Sequence, residues 1–152
     1  MVWHHHKIRI SRFEGMNQMP LNDITSRVIH EAMIIHKEIG PGLLEKMYHK
    51  LLCAALIDAG LKITTEFSPT FIYRGFDLGA ACRFDIVVND QVLIEVKAVE
   101  EIHSVHYAQV NTYLLIGNLP LGLLLNFNSA LMKTGIRRII NTRHPLAGEL
   151  RL

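Results

Sequence analysis

The chain has 152 residues, 49% of them apolar and 20% charged, with a formal net charge of +2 and nine histidines. That length suits one domain with a real core. The composition excludes a disordered chain, and the near balance of charge permits a polyanionic partner without demanding one. The two cysteines, Cys53 and Cys82, are too few for a disulfide framework and lack the paired spacing of a zinc site, so both are expected as buried thiols. No apolar run approaches the ~18 residues that span a bilayer. The start shows no apolar segment followed by a small-residue cleavage site. The expectation is a soluble cytoplasmic protein.

Residues 1–20 carry the cluster His4-His5-His6 and no sustained periodicity, and read as a poorly ordered extension, with Met16 and Met19 as alternative starts of the folded unit. Asn22 or Asp23 can cap a helix beginning at Ile24, whose stripe is Ile24, Val28, Ile35 and Ile39 and whose stop is Gly40-Pro41-Gly42. His36 near its end reads as a packed or charge-favoured histidine. A second helix is expected from Leu43 to Ala59, with Leu44, Met47, Leu51, Ala55 and Ile57 or Leu56 as its apolar face. Glu45 and Tyr48, three apart, share a side of it. Three strands follow: Thr65 to Tyr73, a turn at Arg74-Gly75-Phe76, then Ala80 to Val88 and Gln91 to Val99. Val105 to Ile116 has helical spacing and sets His106, Gln109 and Tyr113 on one face. Leu119 to Phe127 reads as a fully buried strand, Arg137-Arg138-Ile139-Ile140 as a last edge strand, and 142–152 as a tail whose apolar residues from Leu146 onward fit association or a frayed terminus equally.

The charges of the second and third strands stand out. Asp85 interrupts one apolar strand, and Glu95 and Lys97 interrupt the next. The strand period of two places Glu95 and Lys97 on one face, with Ile94 and Val96 on the other. A two-residue loop at Asn89-Asp90 would set Asp85 opposite Ile94, whereas a three-residue loop through Gln91 sets it opposite Glu95, and the longer loop is the expected one. Two carboxylates and a lysine would then share a site suited to a hard divalent cation and a phosphate. The bland reading is a surface ion pair on an amphipathic hairpin.

The order helix, three strands, helix, strand, with Asp85 on the second strand and Glu95-Val96-Lys97 on the third, resembles the core of the PD-(D/E)XK nuclease superfamily. Within it, Gly42-Leu43-Leu44-Glu45-Lys46-Met47-Tyr48 is similar to the motif that names the GxxExxY proteins. The segments around His36, Ile94 to Ala98, His106 to Tyr113 and Gly122 to Phe127 also resemble that group, so the likeness covers about 21–141. It departs at one point, Phe84 standing where a proline often precedes the signature aspartate. The resemblance implies an α/β domain over 21–141, with a restriction-endonuclease-like α-β-β-β-α-β core, an extra N-terminal helix and an extra C-terminal strand.

It also implies roles. Asp85, Glu95 and the carbonyl of Val96 would hold Mg²⁺, with Mn²⁺ as an alternative. Lys97 would face the charge that develops on phosphate, and Glu45 would join as a further acid. Gln109 and Tyr113 would position Lys97 or a phosphate oxygen. Arg137, Arg138 and Lys133 would contact the nucleic-acid backbone, although basic edge strands also guard against aggregation. The implied activity is metal-dependent hydrolysis of phosphodiester bonds, with DNA as the expected substrate, no membrane partner, and a second copy or protein partner to complete recognition. The competing reading is a nucleic-acid-binding or regulatory module that keeps the fold and cleaves nothing. Against it, two carboxylates beside a polyanion repel it unless a cation intervenes.

Overall fold

The computed structural model describes residues 19–150. The histidine cluster and Met16 lie outside them. In chain order the elements are α1 (Leu21–Ile39), α2 (Glu45–Asp58), β1 (Ile63–Phe67), β2 (Thr70–Tyr73), β3 (Phe76–Ala80), β4 (Phe84–Val88), β5 (Val92–Lys97), α3 (Ser104–Gly117), β6 (Leu121–Asn126) and β7 (Ile136–Ile140). Short 3-10 helices run over Met132–Gly135 and Pro145–Leu150.

Five strands form one sheet in the order β1-β4-β5-β6-β7, in which β5 and β6 are parallel and the other neighbours antiparallel. The expected α-β-β-β-α-β order is present as α2, β1, β4, β5, α3 and β6, and a mixed α/β fold of the restriction-endonuclease-like kind is what the chain adopts. Strand alternation sorts the core into two layers. Ile86, Val88, Val92, Ile94, Val96, Leu121, Leu123 and Leu125 pack against Ile24, Val28, Tyr48 and Leu52 of α1 and α2. Val87, Leu93 and Leu124 meet Val110 and Leu114 of α3 on the other side. Each large aliphatic side chain so buried contributes about 1.5–3 kcal/mol, which is why the two central strands β5 and β6 are apolar nearly throughout.

The helices differ from expectation at their edges and faces. α1 begins at Leu21, directly after Pro20, so Asn22 and Asp23 lie inside its first turn and neither is its cap. Proline fits there because the first turn's amides have no helical partners. The buried stripe of α2 is Tyr48, Leu52 and Leu56, while Leu44, Met47 and Ile57 are exposed. Apolar residues occur around several sides of this helix, and the aromatic ring of Tyr48 decides which one turns inward. Ile39, placed on the α1 stripe by spacing, is the last residue of the helix and is exposed.

The expected strand from Thr65 to Tyr73 is broken at Ser68-Pro69, since proline has no N–H to give a ladder. The strand expected from Ala80 begins only at Phe84. Between them β2 and β3 form a separate two-stranded hairpin. Residues 145–150, read as tail, fold back so that Ala147 and Leu150 are buried.

The site follows from the topology. Antiparallel pairing brings the end of β1 beside the start of β4, with Phe67 opposite Phe84. The end of β5 comes to the same edge of the sheet, and β6, parallel to it, ends there as well.

Candidate active site

β4 and β5 are joined by the three-residue loop Asn89-Asp90-Gln91, so that Val88 pairs with Val92 and Ile86 with Ile94. Asn89 and Asp90 both take positive φ, 48° and 57°, a conformation these two residue types tolerate better than most. The same register carried one step further sets Asp85 opposite Glu95. There the ordinary ladder stops and side chains take its place. Asp85 Oδ2 accepts the N–H of Val96 at 2.9 Å, and Glu95 Oε1 accepts the N–H of Asp85 at 3.3 Å. The carboxylates thus hold the two strands together where the backbone no longer does.

Glu95 is 2% exposed. Burial pushes its carboxyl up to about 8, the nearby charge of Asp85 adds to this, and Lys97 opposes it. Lys97 is half-buried at the end of β5. Its carbonyl accepts the N–H of Phe127, and the side chain of Asn126 grips Val99 by accepting its N–H at 3.0 Å and donating to its carbonyl at 2.9 Å. Asn126 is itself buried. It fixes the chain just past Lys97, a supporting role that pattern reading alone did not assign.

α2 points two groups at the same edge. Glu45, its first residue, accepts the N–H of Ala98 at 3.3 Å, one position beyond Lys97. One turn on, the Nε2–H of His49 donates to the carbonyl of Asp85 at 3.1 Å, and its Nδ1 lies 3.9 Å from Cys53 Sγ. His49 was missed in the sequence, although its i+4 spacing from Glu45 was the available signal. Tyr48 is fully buried and stacks on Phe127 with ring centroids 4.7 Å apart. Its hydroxyl donates to the carbonyl of Gly40 and accepts the N–H of Leu43. The turn it ties includes Gly42 at φ 117°, a conformation that favours glycine. Gly42, Glu45 and Tyr48 are therefore one device: a turn, its tether, and the acid that the tethered turn aims at β5.

From the opposite face, α3 contributes Gln109 and Tyr113. The Gln109 amide donates to the Tyr113 hydroxyl at 3.1 Å. Burial raises the Tyr113 phenol above its ordinary value, the Gln109 bond opposes this, and the charges of Glu95 and Asp85 raise it further. His106 instead accepts the N–H of His103 through Nδ1 and closes the start of α3. His36 bonds the carbonyl of Ser129 at 2.8 Å and ties the end of α1 to the loop after β6, the structural use expected of it.

The three basic residues are not gathered. On β7 the side chains of Arg137 and Arg138 alternate. Arg137 donates to the Tyr107 hydroxyl at 2.7 Å and to the carbonyls of Thr134 and Ile136, whereas Arg138 reaches Asn22 on the α1 side. Lys133 sits in the exposed turn before β7.

A mixed sheet between helices, with an aspartate on one central strand and Glu-x-Lys on the next meeting at one edge, defines a restriction-endonuclease-like domain. Residues 22–139 match the PD-(D/E)XK nuclease superfamily, and the chain belongs to that superfamily. No match was found among curated proteins or among solved structures.

The donor set fits a hard divalent cation. Two carboxylates converge, one of them buried, and among the described residues neither forms an ion pair with a basic side chain. Among those residues there is also no group of three or more His, Cys, Asp and Glu side chains that would cage a metal with protein ligands alone. Carboxylate oxygens are the donors that a hard divalent cation takes, whereas closed zinc sites are built from cysteine and histidine.

Proposed function

We propose that the protein is a Mg²⁺-dependent nuclease that hydrolyses phosphodiester bonds, with DNA as its substrate, and that it falls in the GxxExxY group of its superfamily. The observation that carries the activity is the replacement of the β4–β5 ladder by Asp85 and Glu95. Two carboxylates forced together at a sheet edge raise the protonation of one of them, and a bound cation removes that cost. The group assignment rests on Gly42, Glu45 and Tyr48 acting as a unit.

Asp85, Glu95 and the Val96 carbonyl would hold the ion. When bound, it supplies Lewis acidity that activates water for attack on phosphorus and offsets charge on the phosphate oxygens. In the reaction a P–O bond forms to water, the P–O bond to the leaving sugar oxygen breaks, and that oxygen takes up a proton. The Lys97 ammonium stands two residues from Glu95 on the same strand face, where it balances the negative charge of the transition state. Glu45 restrains Ala98 and with it the lysine's backbone. Gln109 donates to the Tyr113 hydroxyl, and the pair would bond a phosphate oxygen or Lys97 from the α3 side of the sheet. Lys133, Arg137 and Arg138 would act separately on the nucleic-acid backbone rather than as one patch.

The test is cleavage of labelled linear, circular and branched DNA and RNA with Mg²⁺ or Mn²⁺, comparing the native chain with Lys97→Ala and Asp85→Ala. Metal-dependent cleavage lost in both variants is the expected result. A native chain that binds these substrates, cuts none of them, and binds as well or better after Asp85→Ala sinks the nuclease reading and leaves a silent binding module.

A further inference from the structure

The β2–β3 hairpin is not used by the chemistry above, and it is the most exposed apolar element of the described residues. Tyr73 is 50% exposed, Phe76 69% and Leu78 58%. Tyr73 and Phe76 pair directly across the turn, so their rings are neighbours on one face of the ribbon. The turn itself, Arg74-Gly75, has φ of 49° and 82°, the tight two-residue form that matches strand twist. The Arg74 guanidinium lies 5.2 Å from the centre of the Tyr73 ring. The hairpin's acid is turned elsewhere: Asp77 pairs with Ile72 and its Oδ1 accepts the N–H of Gly79 at 2.8 Å. The tip therefore offers the exposed ring of Phe76 and the half-exposed ring of Tyr73 with a cation over one of its faces, and no carboxylate on that face.

Its root is beside the candidate active site. The hairpin leaves the sheet after Phe67 and returns at Phe84, and these two residues pair immediately before Asp85. From Phe67 to the ring-bearing Tyr73 the chain extends for at most about 20 Å at ~3.3 Å per residue, which is about six nucleotides of a stacked strand.

We infer that this hairpin stacks on unpaired bases within about six nucleotides of the cut, so that the substrate class is single-stranded nucleic acid or a junction with an unpaired segment. The inference rests on the nuclease reading. Rings at a ribbon tip can lie only against bases whose faces are open, and bases inside an intact duplex have theirs covered by their neighbours. A cation held over one ring suits the phosphates on either side of a stacked base, whereas a purely apolar partner would leave it without a counter-charge. Aromatic rings beside a cation and near a phosphodiester-directed site favour nucleic acid over a second copy of the chain.

The full chain is titrated, in buffer with a chelator so that nothing is cut, into a single-stranded DNA probe carrying 2-aminopurine and into the matching duplex. The native protein is compared with Tyr73→Ala, Phe76→Ala, and the double change Tyr73→Leu with Phe76→Leu, which keeps apolar area and removes the ring faces. The single strand is expected to bind more tightly than the duplex and to change 2-aminopurine fluorescence, each alanine variant to weaken binding about tenfold, and the leucine pair to be as weak as the alanine variants. All sites changed are exposed, and thermal melts of the variants are expected to overlay the native one.

Native-like binding by the leucine pair overturns the proposal, as does equal binding of duplex with no fluorescence change. So does a native dimer that the variants convert to monomer while DNA binding is unaffected, which would assign the hairpin to a second copy. Metal-dependent cleavage lost in Lys97→Ala, with hairpin variants binding and cutting like the native chain, removes this inference alone. Fluorescence change without any cleavage removes the nuclease reading and leaves the stacking element in place.

Discussion

At the scale of single residues, Glu95 is where folding and the proposed chemistry pull against each other. Its carboxyl is pushed up to about 8 because burial and the Asp85 charge both disfavour ionisation. A carboxyl raised above its unfolded value keeps its proton better in the fold than in the unfolded chain. The stability it contributes is thus fully present below about pH 4.5 and is lost as pH rises through about 8. The metal-free chain is expected to lose roughly 4–5 kcal/mol of stability across that window, and Glu95→Gln to flatten the loss. Urea unfolding of both proteins at pH 5 and pH 9 with a chelator present checks this, and parallel profiles would sink it. Adding Mg²⁺ at pH 9 is expected to restore native stability and to do little for the variant. His49 makes a second case at this scale. Its bond to the Asp85 carbonyl positions the backbone of a proposed metal ligand. His49→Ala is expected to lower kcat about tenfold with a smaller change in KM, in the manner of partners that orient ligands. His49→Gln, which retains a donor, is expected to recover most of it. Equal losses in both variants would remove the positioning role.

At the scale of elements, what the sequence made legible depended on whether one rule or several decided the outcome. Strand parity alone places Glu95 and Lys97 together, and loop length alone distinguishes Asp85 opposite Ile94 from Asp85 opposite Glu95, so the site's centre was readable. The face of α2 was not, because apolar residues surround the helix and the choice is made by tertiary contact with Phe127. The hairpin was hidden for a related reason: Ser68-Pro69 interrupts a run that otherwise reads as one strand, and β3 is short and poor in β-branched residues. Asn126 was invisible as a site residue because it acts on the backbone of Val99, and backbone partners leave no spacing pattern, whereas His49 left only its i+4 spacing from Glu45. The turn between α1 and α2 gives a prediction at this scale. Tyr48→Phe keeps the stack on Phe127 and removes the hydroxyl that serves Gly40 and Leu43. Gly40 is half-buried and Leu43 exposed, so losing these two bonds is expected to cost about 1 kcal/mol. Because the same turn aims Glu45 at Ala98, cleavage is expected to fall as well, and urea unfolding with initial-rate assays measures both. Lost stability with full activity would show that the motif serves folding only.

At the scale of the molecule, the sheet is held by two layers of unequal depth, and the last described residues add to the deeper one. α1 and α2 cover one face with many large side chains, while α3 alone covers the other. The segment after β7 strengthens this arrangement. Asn141 donates to the carbonyls of Leu114 and Leu119, which fastens the end of α3 to the exit of β7. Beyond it, Leu146 packs on the first layer and Leu150 is buried within it. Patterning gave no reason to expect this, since a short apolar stretch with a proline carries no period to read. Its contribution is nonetheless large: burying one leucine fully and another in part is worth about 3 kcal/mol, and for a domain of this size each kcal/mol moves the midpoint by roughly 2–4 °C. A chain ending after Asn141 is therefore expected to melt about 10 °C lower than the full chain while keeping the far-ultraviolet signature of the same fold. Because the segment touches the α1 and α2 layer and not the carboxylates, whatever cleavage the full chain shows is expected to persist below the lowered melting point. An unchanged melting temperature would mean the segment rests on the core without stabilising it. Loss of cleavage well below melting would mean that the first layer positions Glu45 and His49 more tightly than their own bonds do.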